Sequence, residues 1–148
     1  MEILRRNTDY ALRLMVNLAW RDPEEAVSTR VLAGEEDVSY QLACKLMQQL
    51  HAAKLVESYM GPKGGFRLCR RAAELTVLDV IEAIQGPLLL NRCLLSDHAC
   101  TRQDSCPVRV KMGELQSRMD EYLGGITLAE LAQSRGKEET IMKKGPAK

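Results

Sequence analysis

Cys93, Cys100 and Cys106 stand close together in this 148-residue chain, separated by six and then five residues. Three thiolates suit a soft metal ion or an iron–sulfur cluster, provided that the sulfurs reach one point from several directions. The residues between them are mostly small or polar and carry no apolar period, so the segment reads as a loop. His98 lies inside that loop and reads as an exposed loop histidine or as a further ligand. Zinc binding and reversible thiol oxidation are alternative chemistries for the same three residues.

The remaining composition narrows the choice. Five cysteines are an odd number, and the chain opens on an amphipathic pattern without a secretory leader, so reduced thiols are expected rather than a disulfide framework. Cys44 and Cys69, far from the loop in sequence, read as small packing residues. No apolar run approaches the length of a membrane span, and a cytoplasmic protein is expected. His51 and His98 sit in no nucleophile context, and no phosphate-cradling glycine loop is present, so an enzyme is not expected. A net charge of only +1 means that any affinity for nucleic acid must come from where the charges sit.

The elements that position the loop follow from periodicity and caps. Residues 8–20 form an amphipathic helix, with Thr8 placed to cap it and Asp9 suited to its first turn. Ser28 or Thr29 caps a second helix to about Glu36, with Val31 and Leu32 facing inward. Ser39 caps a third, from Tyr40 to about Lys54, whose apolar residues repeat at three and four. Its other face carries Tyr40, Gln41, Lys45, Gln48 and Gln49, the composition of a recognition helix in a helix-turn-helix. Residues 55–60 and 66–68 read as a hairpin around Gly61-Pro-Lys-Gly-Gly65, and a hairpin directly after a helix-turn-helix is a wing. The expected fold is therefore mostly α with a small β-hairpin, a winged helix-turn-helix.

Thr76 and Asp79 form a capping box for a fourth helix, which Gly86-Pro87 stops. Pro107 opens a long helix in which Val108, Met112, Leu115, Met119 and Tyr122 are spaced four, three, four and three. That seam is too short to stand alone and calls for a partner, most simply a second copy. Thr127 and Glu130 form another capping box, for a short helix to about Ser134. The expected organisation is a winged helix-turn-helix over 1–86, a cysteine loop over 87–106, a dimerisation helix with the following short helix over 107–135, and a flexible tail over 136–148.

Asp9-Tyr-Ala-Leu-Arg13, Gly61-Pro-Lys-Gly-Gly-Phe-Arg-Leu68 and three cysteines before a long helix together resemble the Rrf-two family, in its IscR-, NsrR- and RirA-like branches. The resemblance covers roughly residues 1–135. It implies a bacterial winged-helix transcription regulator, a repressor by expectation, that works as a homodimer on a palindromic operator in double-stranded DNA. It also implies an iron–sulfur cluster near the dimer interface that controls operator affinity. Cys93, Cys100 and Cys106 fall where the family's cluster cysteines fall. One branch places a histidine three residues after the third cysteine, where this chain has Arg109. Another takes an aspartate from the partner's first helix, and Asp9 sits at the matching position. The resemblance thus favours a 4Fe-4S cluster on Cys93, Cys100, Cys106 and Asp9, with a 2Fe-2S cluster as the alternative. Asp9 reads equally well as a first-turn carboxylate favoured by the helix dipole. For DNA the expected contacts are Tyr40, Gln41, Lys45 and Gln48 in the groove, Lys63, Gly64, Gly65 and Arg67 at the wing, and Thr29 and Ser39 at the helix starts.

Overall fold

A computed structural model describes residues 3–96 and 100–143, with side chains to residue 136. Among the described residues, six α-helices and one hairpin follow the order α1 (Arg6–Trp20), α2 (Thr29–Glu35), α3 (Tyr40–Ala52), β1 (Val56–Tyr59), β2 (Gly65–Leu68), α4 (Val77–Gln85), α5 (Pro107–Gly125) and α6 (Leu128–Lys143). Short 3-10 turns at Ala72–Glu74, Arg92–Leu94 and Gln103–Ser105 link them. Among the described residues no helix is long and apolar enough to cross a membrane.

The caps sit where hydroxyls can satisfy the orphan N–H groups of a first turn. Ser28 accepts from the Val31 N–H and Ser39 from the Leu42 N–H, each at 3.3 Å. Thr76 and Asp79 make the full reciprocal capping box, and Gly86 closes α4 at φ +80°. Three expectations need correction. Thr8 is not a cap: α1 starts two residues earlier, and the buried Thr8 hydroxyl donates to Gln85 Oε1 at 2.6 Å. Val31 does not face inward but is 43% exposed, because α2 turns Leu32 and Ala33 to the core. The last helix does not stop near Ser134 but runs to Lys143, so the expected tail begins as helix; positions 144–148 lie outside the described residues.

One aliphatic core joins these elements. Leu14, Met15 and Leu18 of α1, Leu32 of α2, and Leu46, Met47 and Leu50 of α3 meet Val56, Phe66, Leu75, Val80 and Leu128. A smaller cluster of Val77, Ile81 and Leu88 takes Met119, Leu123 and Leu131 against it, seating α5 and α6 on α4. The hairpin is antiparallel, pairing Val56 with Leu68 and Tyr59 with Gly65. Its outer edge is not left open: Val27 and Phe66 exchange both backbone hydrogen bonds at 2.8 Å. Gly65 is required there, since a Cβ would lie 2.2 Å from the Val27 carbonyl oxygen.

Candidate nucleic-acid interface and cysteine loop

The face of α3 opposite the core carries four side chains together: Tyr40, Gln41, Lys45 and Gln48 are all exposed. The 3.6-residue period makes this division, since Ala43, Leu46, Met47 and Leu50 take the other side. Ser39 ends its hydroxyl on the Leu42 N–H, and Thr29 is half-buried at the start of α2. Next to Thr29 stands a residue that the sequence reasoning passed over. Arg30 is exposed, and its guanidinium carbon lies 4.6 Å from the centre of the Tyr40 ring. Its signal in the sequence was a cation in the first turn of a helix, where unpaired N–H groups favour the opposite charge.

At the wing, Lys63 is exposed and makes no ion pair among the described residues. Arg67 already has partners within the chain. It pairs with Glu24 at 2.9 Å and Glu57 at 3.7 Å, and lies 4.3 Å from the centre of the Tyr59 ring. The Tyr59 hydroxyl donates to Glu57 at 2.7 Å, and that carboxylate holds the phenol above its ordinary range. Gly64, like Gly65, is set by close packing: a Cβ there would meet the Tyr59 carbonyl oxygen at 2.4 Å. The two wing glycines and Arg67 therefore have structural duties, and Lys63 is the charge that the wing presents outward.

The cysteine loop is tied to α5 at its entrance, and its far end runs straight into α5. Gln116 donates to the Leu88 carbonyl at 2.7 Å and accepts from the Leu90 N–H at 3.0 Å, fixing the way in. Arg109 donates to the Cys93 carbonyl at 3.2 Å. The position where one branch of the resembling family has a histidine therefore anchors the first cysteine instead. Cys93 lies half-buried in the Arg92–Leu94 turn, Cys100 is exposed, and half-buried Cys106 directly precedes Pro107, the first residue of α5. All five cysteines are free thiols. The donor types suit a soft metal or cluster, but among the described residues no three of His, Cys, Asp or Glu gather at one point. Asp9 is exposed on the first turn of α1. Cys44, in α3, and Cys69, just after β2, are half-buried, and desolvation pushes the Cys69 thiol up. His98 lies outside the described residues.

Helix α5 buries no residue of its own. Val108, Leu115 and Tyr122, seven residues apart, are 58%, 49% and 71% exposed, while Met119 packs against α4. Of the five seam residues, Val108, Leu115 and Tyr122 thus lie along the outside, while Met112 is half-buried and Met119 is turned to α4.

Two polar clusters hold the frame. Gln85 accepts from the Arg5 N–H and the Thr8 hydroxyl and donates to the Ile3 carbonyl, pinning the N-terminus to the end of α4. Glu36, 6% exposed at the end of α2, accepts from Asn17 and Arg135 and lies 3.7 Å from Arg13. Asn17 is fully buried, and Arg21 with Asn17 holds the Glu35 carboxyl below its usual range. A polar residue on the apolar stripe of α1 was the sequence signal for this cluster.

Comparison with known proteins gives a consistent result. The family model Rrf2, described as an iron-dependent transcriptional regulator, matches residues 4–134. The chain is 27% identical over 141 residues to the HTH-type transcriptional regulator NsrR of Geobacillus kaustophilus, covering 95% of this chain and 96% of that one. It is 30% identical over 125 residues to the HTH-type transcriptional regulator IscR of Sodalis glossinidius, covering 84% and 75%. Among solved structures, CymR, the global cysteine regulator of B. subtilis, aligns with a TM-score of 0.76 at 24% identity over 90% of this chain and 98% of that one.

Proposed function

Since this chain belongs to the Rrf2 family of transcription regulators, we propose that it is a homodimeric repressor whose operator affinity follows an iron–sulfur cluster held by Cys93, Cys100 and Cys106. The family regulates transcription through a winged helix and is not enzymatic. In this reading α3 enters the major groove, Lys63 rests on the phosphate backbone, and α5 pairs with its copy along Val108, Leu115 and Tyr122. The observation that carries it is the attachment of one thiol-bearing loop, through Gln116 and Arg109, to the same helix that exposes the apolar seam. A change in the loop is then felt along α5. Pairing of α5 sets the gap between two α3 helices, which must match grooves about 34 Å apart.

When bound, the cluster supplies a centre sensitive to nitric oxide, oxidants or iron shortage. Asp9 from the partner subunit is the proposed fourth ligand, which favours a 4Fe-4S centre over a 2Fe-2S one. A coupling of ~1–3 kcal/mol between the loop and DNA binding is typical of such linkage and changes affinity by about one to two orders of magnitude.

A thiol-redox or zinc-dependent regulator on the same fold is the second reading, favoured by the exposure of Cys100 and the absence of a gathered donor set among the described residues. Anaerobic purification separates the two. Brown protein with iron and sulfide counted per chain, whose absorbance and operator binding both change in Cys100→Ser, supports the cluster. A colourless protein that carries zinc, or that changes affinity only with thiol oxidation, overturns it.

A further inference from the structure

Arg30 and Tyr40 come from the two helices of the helix-turn-helix, and the guanidinium lies over the tyrosine ring on the motif's outer side. The guanidinium carbon is 4.6 Å from the ring centre, both residues are exposed, and Arg30 makes no ion pair among the described residues. Stacking uses the flat face of the guanidinium and leaves its N–H edge open. Tyr40 is the first residue of α3, and the N-terminal residues of a recognition helix are the ones that reach base edges. Arg30 also stands in the first turn of α2, where the exposed N–H groups disfavour a cation, so local helix stability does not account for it.

From this pair we propose that Arg30 reads a guanine in the major groove, with Tyr40 holding its plane. A guanidinium fork can also grip a phosphate through two bonds, so position separates the two: Tyr40 opens α3, the end of a recognition helix that reaches base edges, and it carries Arg30 there. Guanine presents O6 and N7 side by side in one plane, the pattern that a pre-set fork matches. Holding the side chain before DNA arrives also reduces the rotamer freedom lost on binding. Arg30 thereby adds a specificity residue to the DNA-binding reading above, on which it rests.

The test is selection of duplexes from a random pool by the full-length protein, purified anaerobically, followed by the same selection with Arg30→Ala and Arg30→Lys. The wild type is expected to enrich a guanine at a fixed place in each half-site, and both variants to lose it. On the selected duplex Arg30→Ala should bind roughly 5- to 100-fold more weakly. Replacing that guanine by 7-deazaguanine should weaken the wild type and leave Arg30→Ala unmoved. Tyr40→Leu should weaken binding, and the loss in the Arg30→Ala, Tyr40→Leu double variant should fall short of the product of the single losses. Circular dichroism melting checks that each variant folds. Equal loss by Arg30→Ala on selected and random DNA, with a salt dependence flatter by about one ion, makes Arg30 a phosphate contact and overturns the inference. Failure of the wild type to select any duplex, or to bind DNA in a salt-sensitive way, removes the DNA-binding reading as well.

Discussion

Arg135 of α6 pairs with Glu36 at the end of α2, ninety-nine residues back along the chain. The carboxylate also takes Asn17 and faces Arg13, so one side chain holds the last helix against the turn that leads into α3. Glu36 is 8% exposed at its side chain and Arg135 26%. Removing one partner from so sheltered a pair leaves the other poorly compensated. Arg135→Leu is expected to lower stability by about 1–3 kcal/mol, and Glu36→Leu by more, since it removes the acceptor of both Asn17 and Arg135 and the counter-charge of Arg13. Urea unfolding followed by circular dichroism reads both. A change within 0.3 kcal/mol of zero (roughly the measurement error) for Arg135→Leu would show the pair to be decorative.

The wing glycines should differ in what they tolerate. Gly65→Ala drives a Cβ into the Val27 backbone and must break the Val27–Phe66 pairing, whereas Gly61 has open space and only its φ of +110° to resist a side chain. Gly61→Ala should cost about 1–2 kcal/mol and Gly65→Ala distinctly more. Equal unfolding midpoints for the two variants would contradict the steric account.

On DNA, Lys63 and Gln41 should separate cleanly. Lys63→Ala removes one phosphate contact, so binding weakens on every sequence and the log–log salt slope falls by about 0.9. Gln41→Ala should instead change which sequences are preferred, because an amide pairs with adenine through two atoms. Equal loss on operator and random duplexes for Gln41→Ala would remove it from the reading set.

The proposed pairing of α5 is open to a single substitution. Leu115 is half-exposed midway between Val108 and Tyr122, and Leu115→Glu places like charges opposite each other across a two-fold axis. Light scattering should give a dimer for the wild type and a monomer for the variant. Thermal unfolding of the monomer should stay cooperative, since α5 buries no residue of its own. An unchanged dimer would move the interface elsewhere.

Glu35 makes acid stability testable. Arg21 and Asn17 hold its carboxyl below the usual range. Its folded pKa thus lies under its unfolded one of about 4.3, and the unfolded chain takes up the proton first as pH falls. The contribution is complete above that value and fades as pH drops through the folded one. Glu35→Gln should therefore show a shallower loss of stability below pH ~4 than the wild type. Parallel acid curves would count against the ion pair.

What the amino-acid sequence determined by itself is local. Ser28, Ser39 and the Thr76–Asp79 box start their helices because each cap needs only a hydroxyl within a turn of the N–H groups it satisfies. The exposed face of α3, the hairpin and the α5 seam follow equally from spacing along one element. Tertiary structure decided the rest: that Thr8 would serve Gln85 rather than cap, that Arg67 would be paired with Glu24 and Glu57, that Arg30 would lie over Tyr40, and that α6 would close on Glu36. Each of those contacts joins residues at least ten apart, and no periodicity within one helix or strand encodes which distant side chain arrives beside it. The three thiols show both sides: their kinship on one loop is plain from spacing, while the placing of each sulfur is set by how that loop is held in three dimensions, and among the described residues they do not gather at one point.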